Sequence, residues 1–244
     1  MSYNWNWGIL FQPSPEGQGT YLDMLLLGLA WTIATGICAW IVALIFGSIV
    51  GIARTLPSKT AERLGFAYVE FFRNIPLVVQ LFLWYFVLPE LVPTTWGTWL
   101  KQLQHAPFYT AVTGIGLYMS ARIAEQVRAG IASTGRGQRQ AALAVGLTLA
   151  QSYRYVLLPM AYRIVLPPLT SEFLNTIKNT SVALTIGLLE LTSRARAMQE
   201  FSFQVFEAFA VATVIYLLVN LVVVVAMRRL ERSVAVPGFI AGAR

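Results

Sequence analysis

Long apolar runs alternate with short polar connections along the whole chain, and their lengths suggest a membrane. A helix needs roughly 20 mostly apolar residues to cross the hydrocarbon of a bilayer. Met24 to Ile52 has no charged residue and predicts a first span. Phe66 to Leu88 predicts a second, with Glu70 and Arg73 near one end or turned toward protein. Phe108 to Met119 opens a third, which continues as helix through Arg122, Glu125 and Arg128 as it leaves the bilayer. Tyr162 to Leu189 predicts a fourth, broken and polar-studded, carrying Glu172 and Lys178. Ala208 to Met227 predicts a fifth, the most uniformly apolar. Between them, Pro13, Pro15, Gly17 and Gly19 mark an irregular lead-in. Leu88-Pro89-Glu90-Leu91-Val92-Pro93 is expected to end the second helix, because proline cannot continue the backbone ladder. Trp96 and Trp99 suit the wet edge of a bilayer.

Composition agrees with this pattern. The 244 residues are 57% hydrophobic and 12% charged, with a mean hydropathy of +0.62, too little charge to cover a soluble surface. The net charge of +7 raises nucleic acid as a partner, but the basic residues flank apolar runs rather than forming a stripe. Their placement sets orientation instead. Thirteen lie on one side: Arg54, Lys59, Arg63, Arg122, Arg128, Arg136, Arg139, Arg154, Arg163, Arg228, Arg229, Arg232 and Arg244. Lys101, Arg194 and Arg196 lie on the other, while Arg73 and Lys178 fall within spans. Five helices therefore place the amino terminus outside and the carboxyl terminus in the cytoplasm. Cys38 is the single cysteine and His105 the single histidine, so neither a disulfide framework, a cysteine metal cluster nor a His-His metal site is expected within the chain. No basic region precedes the first apolar run, which is expected to stay in the mature protein rather than be cleaved as a signal peptide.

The cytoplasmic stretch of about 130–161 carries the most informative pattern. Gly135-Arg136-Gly137-Gln138 reads as a turn, and Arg139 to Gln151 as a short helix with Ala141, Ala142, Val145 and Leu149 on one face, interrupted at Gly146. Leu158-Pro159 closes it. So short a helix is not stable alone in water and must rest on its own protein or on a partner. Gln140-Ala141-Ala142, Gly146 and Val156-Leu157-Leu158-Pro159 resemble the loop of binding-protein-dependent ABC importer permeases. Those carry Glu-Ala-Ala, then Gly, then Ile-x-Leu-Pro at the same spacing. Gln140 keeps the shape of the family's Glu without its charge, and Val156 replaces Ile. Phe72-Arg73-Asn74-Ile75-Pro76-Leu77, Glu125-Gln126-Val127-Arg128-Ala129-Gly130-Ile131, Leu166-Pro167-Pro168-Leu169, Glu172-Phe173 and Lys178-Asn179-Thr180-Ser181 resemble the polar amino-acid branch. The opening residues to Leu10 and Tyr85-Phe86-Val87-Leu88-Pro89-Glu90-Leu91 look most like glutamate/aspartate permeases.

The resemblance implies an all-α permease subunit with one transmembrane domain over 23–232, a periplasmic lead-in at 1–22, a coupling loop at about 130–161 and a cytoplasmic tail at 233–244. It implies that Gln140, Ala141, Ala142, Gly146, Val156, Leu158 and Pro159 meet a cytoplasmic ATP-binding-cassette ATPase, which holds the ATP and Mg. It further implies a periplasmic amino-acid-binding protein and a second permease subunit, identical or related. The chain contains no Gly-x-x-x-x-Gly-Lys-[Ser/Thr] phosphate loop and no catalytic set, so it is expected to be no enzyme and to hold no cofactor itself.

Charge inside a span needs a partner or a wet cavity. At helical spacing Ser171, Asn175, Lys178, Ser181, Val182 and Thr185 form one stripe, and Glu172, Asn175 and Asn179 a neighbouring one. Pro167 and Pro168 are expected to break the helix or delay its start, freeing carbonyls. Two readings stand: the face lines a translocation path, with Glu172 receiving an ammonium and Lys178 a carboxylate, or an internal ion pair merely positions the bundle. Arg73 and Asn74 beside Pro76 likewise serve either a kink or a substrate. Arg122, Glu125 and Arg128 have the spacing of solvated pairs at a helix end, with contact to the ATPase open for Arg128. Among rival functions, a secondary transporter would show paired broken helices in two matching halves, and only one such segment is visible.

Overall fold

The computed structural model describes residues 3–15 and 19–234. The tail at 233–244 therefore lies outside the described residues from 235 onward, as does part of the 1–22 lead-in. Among the described residues every regular element is helical, apart from one isolated bridge between Pro13 and Thr20. A 3-10 turn at Trp7–Phe11 precedes α1 (Tyr21–Ala53). Then come α2 (Lys59–Asn74), α3 (Leu77–Phe82), α4 (Leu88–Leu91), α5 (Thr94–Gln102) and α6 (Ala106–Ser133). The loop holds α7 (Arg136–Ala144) and α8 (Leu149–Ser152), followed by α9 (Leu158–Asn179), α10 (Leu191–Ser202) and α11 (Val205–Val234). α1 and α11 are each long and apolar enough to cross a membrane, and α2 with Leu77–Leu91 passes the same test as a broken pair.

The backbone revises several expectations about continuity. Phe66 to Leu88 is not one helix. Ile75 is extended, at φ −100° and ψ 127°, because a residue before proline is pushed out of the α region, and Pro76 then caps α3. Pro167 and Pro168 do not break α9; both lie inside it. Packing holds the helix there, with Val165 and Leu169 buried and the Thr170 hydroxyl bonded to the Leu166 carbonyl at 3.2 Å. Within the stop expected over Leu88 to Pro93, Leu88-Pro89 is still helical and the helix ends as expected at Leu91, before the extended Val92, whereas Leu158-Pro159 does not close its segment. Each Leu-Pro pair is preceded by a π-helical turn, Leu83–Val87 and Tyr153–Leu157. A widened turn moves aside the carbonyl that the proline ring would strike, so the helix continues. Finally, the loop helix breaks around Gly146 as expected, with α7 stopping at Ala144 and α8 starting at Leu149, but α7 already opens at Arg136, inside the turn expected over Gly135 to Gln138.

The chain forms two compact units. One comprises residues up to Trp40, Pro76–Gly116 and Asn175–Val222. Its core gathers Ile9, Tyr21, Met24, Leu25, Leu191, Ala195, Met198, Ala208 and Ala212. Gly28 lets α10 approach, since a Cβ there would lie 3.0 Å from the Leu191 Cα. Beside it the buried Thr32 hydroxyl accepts the Leu191 N–H at 3.1 Å. Glu190 caps α10 by accepting from Thr192 and Ser193, and takes a third bond from the Tyr216 hydroxyl at 2.9 Å. At the amino-terminal end Glu207 accepts from the Tyr3 hydroxyl and, at 2.6 Å, from the Asn6 N–H.

The other unit comprises Ile41–Ile75, Leu117–Leu174 and the chain from Val223. Here α6 packs backbone to backbone on α1, because Cβ atoms at Gly47 and Gly51 would each lie 2.7 Å from a carbonyl oxygen, of Ser120 and Ala124. On α9's side a Cβ at Gly130 would lie 2.5 Å from Cγ1 of the Val165 side chain and 3.1 Å from the Ala161 carbonyl oxygen. The Tyr162 hydroxyl bonds Ser48, and the Thr170 hydroxyl bonds Glu231 at 2.7 Å.

Candidate functional site

A polar cleft of about 550 Å³ opens in the second unit, lined by Arg73, Tyr118, Arg122, Glu125, Gln126, Arg128, Ala129 and Glu172. Most of the lining comes from α6, where 118, 122, 125, 126 and 129 recur at three- and four-residue intervals and so share one face. Arg73 comes from the last turn of α2, and Glu172 from α9. The helix stop before Pro76 thus ends α2 where its final arginine reaches the cleft.

The charges are not symmetrically presented. Arg122 and Arg128 leave 47% and 42% of their side chains exposed, whereas Glu172 and Glu125 leave 11% and 26%. Guanidinium therefore faces the open space and carboxylate recedes behind it. Glu125 is held from two sides, by Arg54 and by Arg128 at 2.9 Å. Glu172 lies 4.0 Å from Arg122 and 3.5 Å from the Gln126 amide nitrogen. Both distances are long for a direct bond, which leaves Arg122 and Gln126 with donors for a third party. Such a cleft can hold a carboxylate between forked guanidiniums and an ammonium against Glu172.

The remaining expected path residues lie elsewhere. Asn74 turns back to Glu70, bonding its carboxylate at 2.9 Å. On α9 the two stripes separate by burial. Ser171 and Lys178 are exposed and Asn175 and Asn179 half-buried, while Glu172 is buried. The Ser181 hydroxyl donates to the Lys178 carbonyl at 2.8 Å in the 3-10 turn that follows. The cation beside Glu172 is Arg122, a residue the sequence pattern assigned to a solvated helix end. The same-face spacing of 118, 122, 125, 126 and 129 was the available signal.

The loop is built from capping chemistry. α7 ends where Gly146 adopts φ +87°, with Gly146 N–H on the Leu143 carbonyl at 3.0 Å and Leu147 N–H on the Ala142 carbonyl at 3.1 Å. That is a Schellman stop, and it needs a left-handed residue. α8 then starts on a capping box in which Thr148 and Gln151 bond each other's backbone. Gln140, Ala141, Leu143 and Val145 are exposed, Val145 by 78%. Ala142 is buried, and it lines a shallow groove of about 310 Å³ with Gln138, Ala141, Val145, Leu147 and Val156. Leu158 is half-buried and Pro159 exposed. Behind the groove the buried Tyr153 donates its hydroxyl hydrogen to Thr55, whose carbonyl and hydroxyl oxygens lie at 2.7 and 3.0 Å.

Comparison with known proteins places this geometry in context. Residues 22–236 match the family described as binding-protein-dependent transport system inner membrane component. The glutamate/aspartate import permease protein GltJ of Escherichia coli K12 is 47% identical, over 99% of this chain and 100% of that protein. The glutamine transport system permease protein GlnP of the same strain is 33% identical, over 88% and 94%. In structure, the chain resembles the crystal structure of an amino acid ABC transporter with histidines, with a TM-score of 0.74 and 28% identity over 87% of this chain and 95% of that one.

Proposed function

The chain belongs to the binding-protein-dependent transport system inner membrane components, and on that premise we propose that it is the permease through which an ATP-driven importer moves glutamate or aspartate inward. It is an inner-membrane permease subunit of an amino-acid importer, and ATP hydrolysis belongs to a partner subunit.

The observation that carries the cargo is the cleft, where three arginines and two recessed glutamates line one cavity. An acidic amino acid has two carboxylates and one ammonium, which is the complement of that set. Arg122 and Arg73 take carboxylate, bidentately where the fork allows. Glu172 takes the ammonium and Gln126 orients it. Similarity to a glutamate/aspartate permease over the full chain supports the same cargo. Lys178, Asn175, Asn179 and Ser181, which belong to the first unit, are further polar residues assigned to substrate passage. A lysine exposed on a spanning helix costs about 2.5–3.5 kcal/mol in lipid, a penalty that a wet path removes. Asn74, with Arg73, holds the end of α2 at the mouth.

The chain crosses the membrane five times, amino terminus outside and carboxyl terminus in the cytoplasm, a reading supported by the distribution of Lys and Arg. α1, the pair formed by α2 and Leu77–Leu91, α6, α9 and α11 make the crossings. The ATPase docks on the exposed side of α7, over Gln140, Ala141 and Val145, with Ala142, Val156, Leu158 and Pro159 supporting that face from behind and beside it, and it carries the ATP and Mg. A periplasmic binding protein delivers cargo to the outer connections, and a second permease chain completes the path. The test is uptake by the assembled complex in proteoliposomes, with a panel of amino acids and ATP inside. Glutamate and aspartate should enter and neutral or basic amino acids should not; preferential uptake of either other class would sink the cargo assignment.

A further inference from the structure

Arg54 and Thr55 form a corner where the second unit gathers four elements. The Arg54 side chain is only 8% exposed. Its stem packs on Gly65 of α2, where a Cβ would lie 2.4 Å from Cγ, and its guanidinium lies 5.8 Å from the Phe66 ring centroid. The guanidinium then pairs with Glu125 of α6, in the wall of the cleft. The next residue, Thr55, receives the Tyr153 hydroxyl on its own carbonyl and hydroxyl oxygens. Tyr153 opens the π turn that joins the loop's α8 to α9. Two adjacent residues therefore hold, on one hand, the segment behind α7 and, on the other, an acid that lines the cleft.

We infer that Tyr153 is a positioning residue that ties movement of the cytoplasmic loop to the shape of the cleft, through Thr55, Arg54 and Glu125. The physical basis is rigidity at each step. A guanidinium this buried cannot leave its carboxylate without remaining as an uncompensated buried charge, which is strongly destabilising. Thr55 is bonded to its own helix end as well, donating its hydroxyl to the Ile52 carbonyl at 2.8 Å. The π turn is the one irregular piece between loop and α9, and the Tyr153 hydroxyl fixes its near end. A shift of α7 and α8 therefore pulls on the α1–α2 corner and, through Arg54, on Glu125 and its partner Arg128. Without the tether, the π turn absorbs the shift and the cleft stays as it was. This rests on the proposed docking of the ATPase on α7.

The experiment uses the full transporter in proteoliposomes and measures substrate moved and ATP hydrolysed in the same sample, per assembled complex. Tyr153→Phe removes the hydroxyl and keeps the ring. ATP consumed per substrate should rise about five-fold, the factor one lost hydrogen bond represents, with ATP hydrolysis and substrate preference unchanged. Thr55→Val leaves the carbonyl acceptor and should give a smaller rise, and combining the two should be no worse than Tyr153→Phe alone. An unchanged ratio overturns the inference, as does a parallel fall in hydrolysis and uptake. Reduced complex yield with a normal ratio in the complex that forms overturns it too, because Tyr153 is then merely structural. Failure of the docking reading is separable: it would leave co-purification of the ATPase untouched by variants at Gly146.

Discussion

Arg122 owes its interest to what it does not reach. At 4.0 Å from Glu172 it is attracted without being bound, and nearly half of its side chain is exposed. A guanidinium in that state is available to an incoming carboxylate, so Arg122→Gln should lower kcat/KM for glutamate uptake by about 10- to 100-fold, the range of one charge-assisted bond. Insertion and assembly should be normal, because the arginine is neither buried nor tightly paired. Equal uptake by the variant would remove the cleft from the path. Lys178 makes a different case. It stands on the exposed stripe of α9 with Ser171, and Lys178→Met keeps length while removing charge. The variant should assemble, hydrolyse ATP at the basal rate and lose uptake of acidic substrates. If it fails to assemble, the lysine serves another helix instead. Neither arginine nor lysine could be ranked from spacing alone. The interval from Arg122 to Arg128 is equally that of a solvated helix end, and only the burial of Glu172 and Glu125 behind the guanidiniums separates the two cases.

At the scale of elements, Gly146 and the paired π turns show how much was legible and where legibility stopped. Gly146 stood out as a helix interruption, and the backbone gives its cause, a left-handed residue closing α7. A Cβ there would meet nothing within 4 Å, so the restriction is conformational rather than steric. Gly146→Ala should therefore cost about 1–2 kcal/mol at the stop and weaken co-purification of the ATPase. Gly146→Asn, which tolerates the left-handed region, should restore much of it; equal loss in both would mean the side chain itself is in the way. Gly51 is the steric counterpart. Gly51→Val sets branched bulk 2.7 Å from the Ala124 carbonyl, and overpacking of that kind costs about 1–3 kcal/mol, read as a lower melting temperature of the purified protein. The apolar runs that became α1, α11 and the broken pair of α2 with Leu77–Leu91 were plain from length and composition. The turns at Leu83–Val87 and Tyr153–Leu157 were not. Proline reads as a stop, and whether the helix instead widens upstream is decided by packing. The same holds for Pro167 and Pro168, which α9 absorbs.

For the whole molecule, orientation can be tested with single cysteines in a chain whose native Cys38 has been replaced by serine. Thr98, exposed on α5, is a better outer reporter than Gly97, whose Cβ would strike the Pro89 carbonyl at 2.1 Å. A cysteine at 98 should react with an impermeant reagent on intact cells, and cysteines at 58 and 137 only after the membrane is opened. Labelling of 137 from outside would overturn the five-helix topology. One feature of the first unit also bears on how the protein is made. The Thr32 hydroxyl on the first long helix waits for the Leu191 N–H, 159 residues later, and the amino-terminal Asn6 waits for Glu207, 201 residues later. At about 5–20 residues per second, the first of these gaps takes roughly 8–30 s to synthesise. Throughout that interval the buried Thr32 and the neighbouring Gly28 of α1 lack their partners on α10. Chains released early, before codon 190, cannot close that unit at all. Truncated products should be cleared by membrane proteases rather than accumulate as partly active permeases.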